Sequence, residues 1–79
     1  MSQFERIAAL DRALRERGSV TAAEIARRFE VDARTVRRDI EYMRDRLSAP
    51  IVWDKSAAAY RYDAPFDSLR FADERALIV

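Results

Sequence analysis

Asp32-Ala33-Arg34-Thr35-Val36-Arg37-Arg38-Asp39-Ile40 follows closely on Thr21-Ala22-Ala23-Glu24-Ile25-Ala26-Arg27-Arg28-Phe29, and these two runs decide the fold. Thr21 with Glu24 three residues on is a capping box: the hydroxyl accepts from the Glu24 amide while the carboxylate reaches back to the Thr21 amide. A helix therefore begins at Ala22. Its inward face is Ala22, Ile25, Ala26 and Phe29, which leaves Arg27 and Arg28 outside or at the edge. Glu30-Val31 forms a turn, with Val31 filling space between the helices. Asp32 suits a second N-cap, since its carboxylate can accept from the amides of the next turn and meets the positive end of the helix dipole.

Turning 100° per residue from Val36 places Ile40, Met43 and Leu47 within about 40° of it, as one apolar stripe. Arg34, Arg38, Glu41 and Asp45 fall on the opposite side, and Thr35 and Arg37 flank the stripe at roughly right angles. This helix is expected over about 33–48, ended by Pro50, which lacks an amide donor and disfavours helical geometry in the residue before it. Asp39, about 60° from the stripe, is expected as a partly buried carboxylate in a structural ion pair, with an arginine one or two turns away as the natural partner.

Upstream, Phe4, Ile7, Leu10 and Leu14 recur at three- and four-residue steps with charged residues between them, which predicts an amphipathic helix over about 3–17. Gly18, the only glycine, sits just past it as a left-handed C-cap. Downstream, Ile51-Val52-Trp53-Asp54 and Tyr60-Arg61-Tyr62-Asp63 are β-prone segments separated by Lys55-Ser56-Ala57-Ala58-Ala59, a spacing that fits a hairpin with a five-residue loop. Trp53, Tyr60 and Tyr62 can stack on bases, but on such a hairpin core and edge packing is the commoner use of aromatic side chains. The fold class is then α+β and mainly α: three helices and a two-stranded β-hairpin wing, a winged helix-turn-helix, followed by a connector and the start of a fourth helix. Residues 1–64 form that domain and residues 65–79 the connector. The acids Asp73 and Glu74 lead an apolar run as at a helix start, and the apolar end Leu77-Ile78-Val79 is expected to pack on this domain or a partner, or to continue into a longer protein.

Seventy-nine residues make one small domain. Without cysteine or histidine, disulfides, thiol nucleophiles, the usual zinc ligand sets and imidazole catalysis are all excluded. No nucleophile–base pair or metal cluster is visible, so neither enzyme activity nor a cofactor is expected. No apolar run approaches the roughly 20 residues that span a bilayer, and no signal-peptide core follows Met1, so the chain reads as cytoplasmic. The net charge of +1 says little, but its distribution says more. Residues 1–47 carry 11 arginines against nine acids, and within 27–38 five arginines face only Glu30 and Asp32. Lys55 is the only lysine. Arginine's planar fork pairs bidentately with guanine or phosphate, although a genome's base composition produces the same preference.

A helix pair whose second member presents arginines at its N-terminal end is how a helix-turn-helix offers side chains to the DNA major groove. On this reading Arg34 and Arg38, one turn apart on the outer face, are the base readers, with Thr35 and Arg37 as flanking base or phosphate contacts. Phosphate contacts are expected from Thr21 at the start of the second helix, from Arg27 and Arg28, and from Lys55, Ser56 and Arg61 on the wing, which would follow the backbone or enter a minor groove. Capping alone accounts equally well for Thr21, and Glu24 and Asp32 can engage Arg27 and Arg28 in surface ion pairs.

The run from Thr21 to Ile40, followed at similar spacing by Ala49-Pro50-Ile51 and Tyr60-Arg61-Tyr62, resembles the N-terminal winged-helix domain of WYL-domain bacterial transcription regulators, and more broadly the DeoR-like helix-turn-helix group. The likeness covers residues 4–63, and residues 66–79 look like the family's connector. It departs at Asp32, where Ser is common, at Ala57-Ala58-Ala59, where the family's wing often has glycine, and at Ala72, where a Thr or Ser cap is expected. It implies a homodimeric regulator that binds operator or promoter DNA, with an effector, in some members an oligonucleotide, held by a WYL domain beyond these residues. Two other readings use the same residues: a winged helix for protein–protein association, and a DNA-binding appendage of an enzyme lying beyond Val79.

Overall fold

A computed structural model describes residues 2–66. Three helices, α1 (Gln3–Glu16), α2 (Ala22–Phe29) and α3 (Ala33–Arg46), are followed by strands β1 (Ile51–Asp54) and β2 (Ala59–Tyr62). The expected connector and fourth helix fall, from residue 67 onward, outside the described residues.

Each helix starts on a side-chain cap. Ser2 and Glu5 form a capping box on α1, and Thr21 and Glu24 form one on α2. On α3, Asp32 accepts from the Thr35 amide at 2.8 Å. Just past the C-cap of α1, Gly18 takes a φ of +90°, which is open to a residue without a β-carbon. Helix α2 ends differently. Glu30 adopts the left-handed conformation (φ 55°, ψ 44°), its amide reaches back to Arg27, and the Val31 amide donates to the Ala26 carbonyl at 3.0 Å. That is the Schellman arrangement, built here on a residue with a full side chain. It makes the turn that swings the chain into α3.

Helix α3 ends at Arg46, two residues short of the expected 48. The stop is made before Pro50 acts: Ser48 takes a left-handed φ of 56° and the Ala49 amide folds back onto the Met43 carbonyl at 2.9 Å. Likewise α1 closes at Glu16, with Arg17 as its C-cap.

The hairpin is antiparallel, with Ile51 opposite Tyr62 and Asp54 opposite Ala59. Its loop therefore has four residues, Lys55 to Ala58, and β2 begins at Ala59 and ends at Tyr62, one residue earlier at each end than expected. The cause is Asp54, whose Oδ1 accepts from the amides of Ser56 (3.0 Å) and Ala57 (3.2 Å) and turns the chain at once. Ala58 completes the turn at φ 52°. On its other side β2 bridges to Val20, with each backbone donating to the other at 3.0 and 2.8 Å. The wing is thus tied to the α1–α2 connection.

The core lies where the three helices meet the inner end of the hairpin. Leu10, Val20, Val36, Ile40 and Met43 are essentially inaccessible, with Ile7, Leu14, Ile25 and Ile51 around them and Phe29, Val31, Leu47, Tyr60 and Tyr62 packed at the edge. Burying a side chain such as Leu10 or Ile40 contributes about 1.5–3 kcal/mol. The stripe of α3 is therefore anchored inward, and its opposite face packs on none of the other described residues.

Candidate nucleic-acid interface

The arginines of the first two turns of α3 are held up by Asp32. Its Oδ1 accepts from both the amide (2.8 Å) and the hydroxyl (2.9 Å) of Thr35. These bonds, with the neighbouring charges of Arg34 and Arg38, keep its carboxyl below the usual aspartate range. Thr35, half buried, gives its hydroxyl proton to the cap and retains only acceptor capacity and its methyl group. Arg34, Arg37 and Arg38 are exposed, and their side chains make no hydrogen bond or ion pair among the described residues. Arg34 and Arg38, one turn apart, are separated by about 6 Å along the axis. Further along the same outer face come Glu41 and Asp45, both exposed, so the positive half is the N-terminal half.

Most other arginines are engaged. Arg6 pairs with Asp39, Arg12 with Glu16, Arg15 with Asp11 and Arg17 with Glu24. Arg44 donates to the Ile51 carbonyl at 3.0 Å and lies over the Tyr60 ring, joining α3 to the wing. Arg27 and Arg28 do not pair with Glu24 or Asp32: Arg17 holds Glu24 at 2.6 Å and lowers its carboxyl, and Thr35 holds Asp32. Arg28 instead sits 5.3 Å from the Phe29 ring centre, and Arg27 is exposed without an ion pair among the described residues. The arginines whose side chains make neither a hydrogen bond nor an ion pair in the described part are thus Arg27, Arg28, Arg34, Arg37, Arg38 and Arg46. Five of these six lie in the segment 27–38.

At the start of α2, Thr21 and Glu24 close a ring in which the Thr21 hydroxyl accepts from the Glu24 amide and donates to Glu24 Oε1, as does the Thr21 amide. A phosphate here would use the amides of Ala22 and Ala23, which a helix start leaves without intrahelical partners. On the wing, Lys55 and Ser56 are exposed at the loop, while the Arg61 guanidinium donates to Asp54 (3.2 Å) and Asp63 (3.3 Å). These bonds use Nε and Nη1 and leave Nη2 of the half-exposed guanidinium without a partner among the described residues. The expectation of packing holds for Tyr60 and Tyr62, each partly buried against the core, but not for Trp53, which is 52% exposed and stands edge-on to Tyr60 at 5.0 Å between ring centres. Trp53 stands opposite Tyr60 in the hairpin, and it is Tyr60 that packs on the core and meets Arg44 of α3.

Sequence reasoning missed several supporting residues. Asp39 is fully buried, and its partner Arg6 comes from α1 rather than from a neighbouring turn of α3. Tyr62 donates to Asp11, itself buried, at 2.7 Å, and burial raises the Tyr62 phenol further than that hydrogen bond does. Asp54, the turn former, is held low by the loop amides and by Arg61. The only signal in the sequence is an acid three or four residues from a turn or an arginine, which is common on any helical surface.

Among the described residues no group of acids is arranged to hold a metal ion, and no helix is long and apolar enough to cross a membrane. Compared with known families, the chain matches the model of a family described as an HTH domain over residues 6–61, from the first turn of α1 to the middle of β2. Neither the curated proteins nor the solved structures contain a match.

Proposed function

This chain belongs to the helix-turn-helix (HTH) domain family, and from that membership we propose that it is a sequence-specific double-stranded DNA-binding domain whose helix α3 enters the major groove. The observation that carries this reading is the selective freedom of the arginines. Those of 27–38 form no ion pair with the acids of the described residues, Arg34 and Arg38 meeting Asp32 only through its field, whereas Arg6, Arg12, Arg15, Arg17 and Arg61 are each bound to a carboxylate. A protein holding arginines only for solubility has no reason to sort them this way.

In this reading Arg34 and Arg38 contact base edges, most simply guanine O6 and N7. Arg37 and the methyl of Thr35 border the groove. Arg27, Arg28 and the start of α2 at Thr21 meet phosphates, joined on the wing by Lys55 and Ser56. Arg61 mainly shapes the wing. The resemblance of 21–40 to WYL-type regulators supports placing the domain, residues 1–64, in a cytoplasmic bacterial transcription regulator. Residues 65–79 would then lead toward a sensor domain for an effector. Two copies would occupy half-sites about 34–36 Å apart or at multiples of that spacing.

A gel shift of the 79-residue chain against a matched and a scrambled duplex tests the reading. Arg34→Ala or Arg38→Ala is expected to weaken matched DNA far more than scrambled DNA, and equal weakening on both would remove these residues as base readers. Exposed Trp53 favours a second reading, protein association through the wing. Absence of binding to random duplex at low salt would select it.

A further inference from the structure

Helix α3 carries a buried carboxylate that the proposed DNA contacts do not use. Asp39 is 1% exposed and is gripped from α1 by three donors: Arg6 Nε to Oδ2 at 2.6 Å, Arg6 Nη2 to Oδ1 at 3.2 Å, and Gln3 Nε2 to Oδ1 at 3.3 Å. We propose that Asp39 is a positioning residue whose capture by the Arg6 fork sets the roll of α3 about its own axis, and so the aim of Arg34 and Arg38, without itself touching DNA. The inference rests on the reading of those two arginines as base contacts.

The geometry supports this over a role in stability alone. The inner apolar contacts of α3 are Val36, Ile40 and Met43, a stripe about 60° wide, and apolar packing is non-directional; Arg44, on the side toward the wing, adds a single hydrogen bond to the Ile51 carbonyl. A fork on a carboxylate is directional: two parallel N–H···O bonds fix an orientation as well as a distance. Asp39 lies about 60° round from Val36, off the stripe, so its capture from α1 holds α3 at a second point around its circumference. A roll of about 15° carries a side chain about 6 Å from the axis through roughly 1.5 Å. That displacement exceeds what a bidentate base contact tolerates. The pair is also a poor choice for stability, since a buried ion pair gains little over apolar residues of the same shape.

The test uses the free 79-residue chain and two variants. Arg6→Lys keeps the charge and removes the fork. Arg6→Met with Asp39→Leu replaces the pair by apolar groups, which should return stability but not direction. Residual dipolar couplings give the orientation of α3 relative to α1, and the ratio of Kd on scrambled and matched duplex gives specificity, both at a temperature where circular dichroism shows full helix. In both variants α3 should turn by about 10° or more and the ratio should fall at least about tenfold, the range expected when one bidentate base contact fails. The Kd on scrambled DNA should change by less than about threefold, because phosphate contacts tolerate small displacements. An unchanged orientation with an unchanged ratio overturns the proposal, as does a ratio that recovers along with stability in the double variant. If the wild type shows no sequence preference while α3 still turns in Arg6→Lys, the fork's control of α3 is upheld and the base-reading function is what fails.

Discussion

Replacing Glu30 by glycine should stabilise the domain, although Glu30 makes no tertiary contact that the substitution improves. Glu30 is exposed and sits at φ 55°, ψ 44°, where the β-carbon of an L-residue crowds its own carbonyl. That conformation costs about 1–2 kcal/mol for a residue with a side chain and essentially nothing for glycine. Glycine in turn frees the unfolded chain by about 0.4–1 kcal/mol. The difference leaves a net gain of about 0.5–1 kcal/mol, or roughly 2–8 °C in Tm for a domain of this size. The bonds of the turn, from the Glu30 amide to Arg27 and from Val31 to Ala26 at 3.0 Å, are backbone bonds and survive the change. Thermal unfolding followed by far-UV circular dichroism measures the shift. Glu30→Ala is the control, since it removes the same charge but keeps the β-carbon. If Glu30→Gly is no more stable than Glu30→Ala, the left-handed turn stores no strain and the reasoning is refuted.

Tyr62→Phe removes the 2.7 Å bond to buried Asp11 and should cost about 1.5–3 kcal/mol in urea unfolding. Because the Tyr62 phenol is raised in the fold, its stabilising contribution is complete below the unfolded tyrosine pKa and is lost as pH climbs past about 10; the variant should lack that part of the alkaline decline. At the acid end, Glu5, Glu24, Asp32 and Asp54 are all lowered, chiefly by the hydrogen bonds that cap α1, α3 and the wing loop and, for Glu24, by Arg17. Their contribution is complete above about pH 5 and disappears as pH falls through their lowered folded values, so Tm should drop steeply below about pH 4, and Asp32→Asn should flatten that slope because asparagine caps without titrating. Arg28→Ala and Lys55→Ala should each weaken matched and scrambled duplex alike and reduce the salt slope by about one unit for every phosphate the variant leaves unneutralised, read from Kd across a salt series.

The elements that could be read from the sequence are those governed by local chemistry. Thr21 with Glu24, Asp32 as a cap, Gly18 as a stop and the Val36–Ile40–Met43 stripe each depend on residues within one or two turns, and all appear in the structure as expected. What was not legible depends on partners far apart in the chain. Arg6 with Asp39, Tyr62 with Asp11 and Val20 with Tyr60 are separated by 33, 51 and 40 residues. No periodicity points to them. The wing loop is one residue shorter than its spacing suggests because Asp54 replaces glycine as turn former. The exposure of Trp53 could not be read either, since a β-prone segment says that the aromatic sits on the hairpin but not how far the helices cover it. At the candidate interface the sequence located the arginines; only the structure distinguished those already paired from those left free.

The central claim is that the first two turns of α3 read duplex DNA. The most direct test is equilibrium binding of the 79-residue chain, wild type and Arg38→Ala, to a duplex selected from a random pool and to its scrambled counterpart at one fixed salt concentration. The wild type should prefer the selected duplex, and Arg38→Ala should lose about 1–3 kcal/mol on it with much less change on the scrambled one. Equal losses on the two duplexes, or no wild-type preference between them, would contradict it.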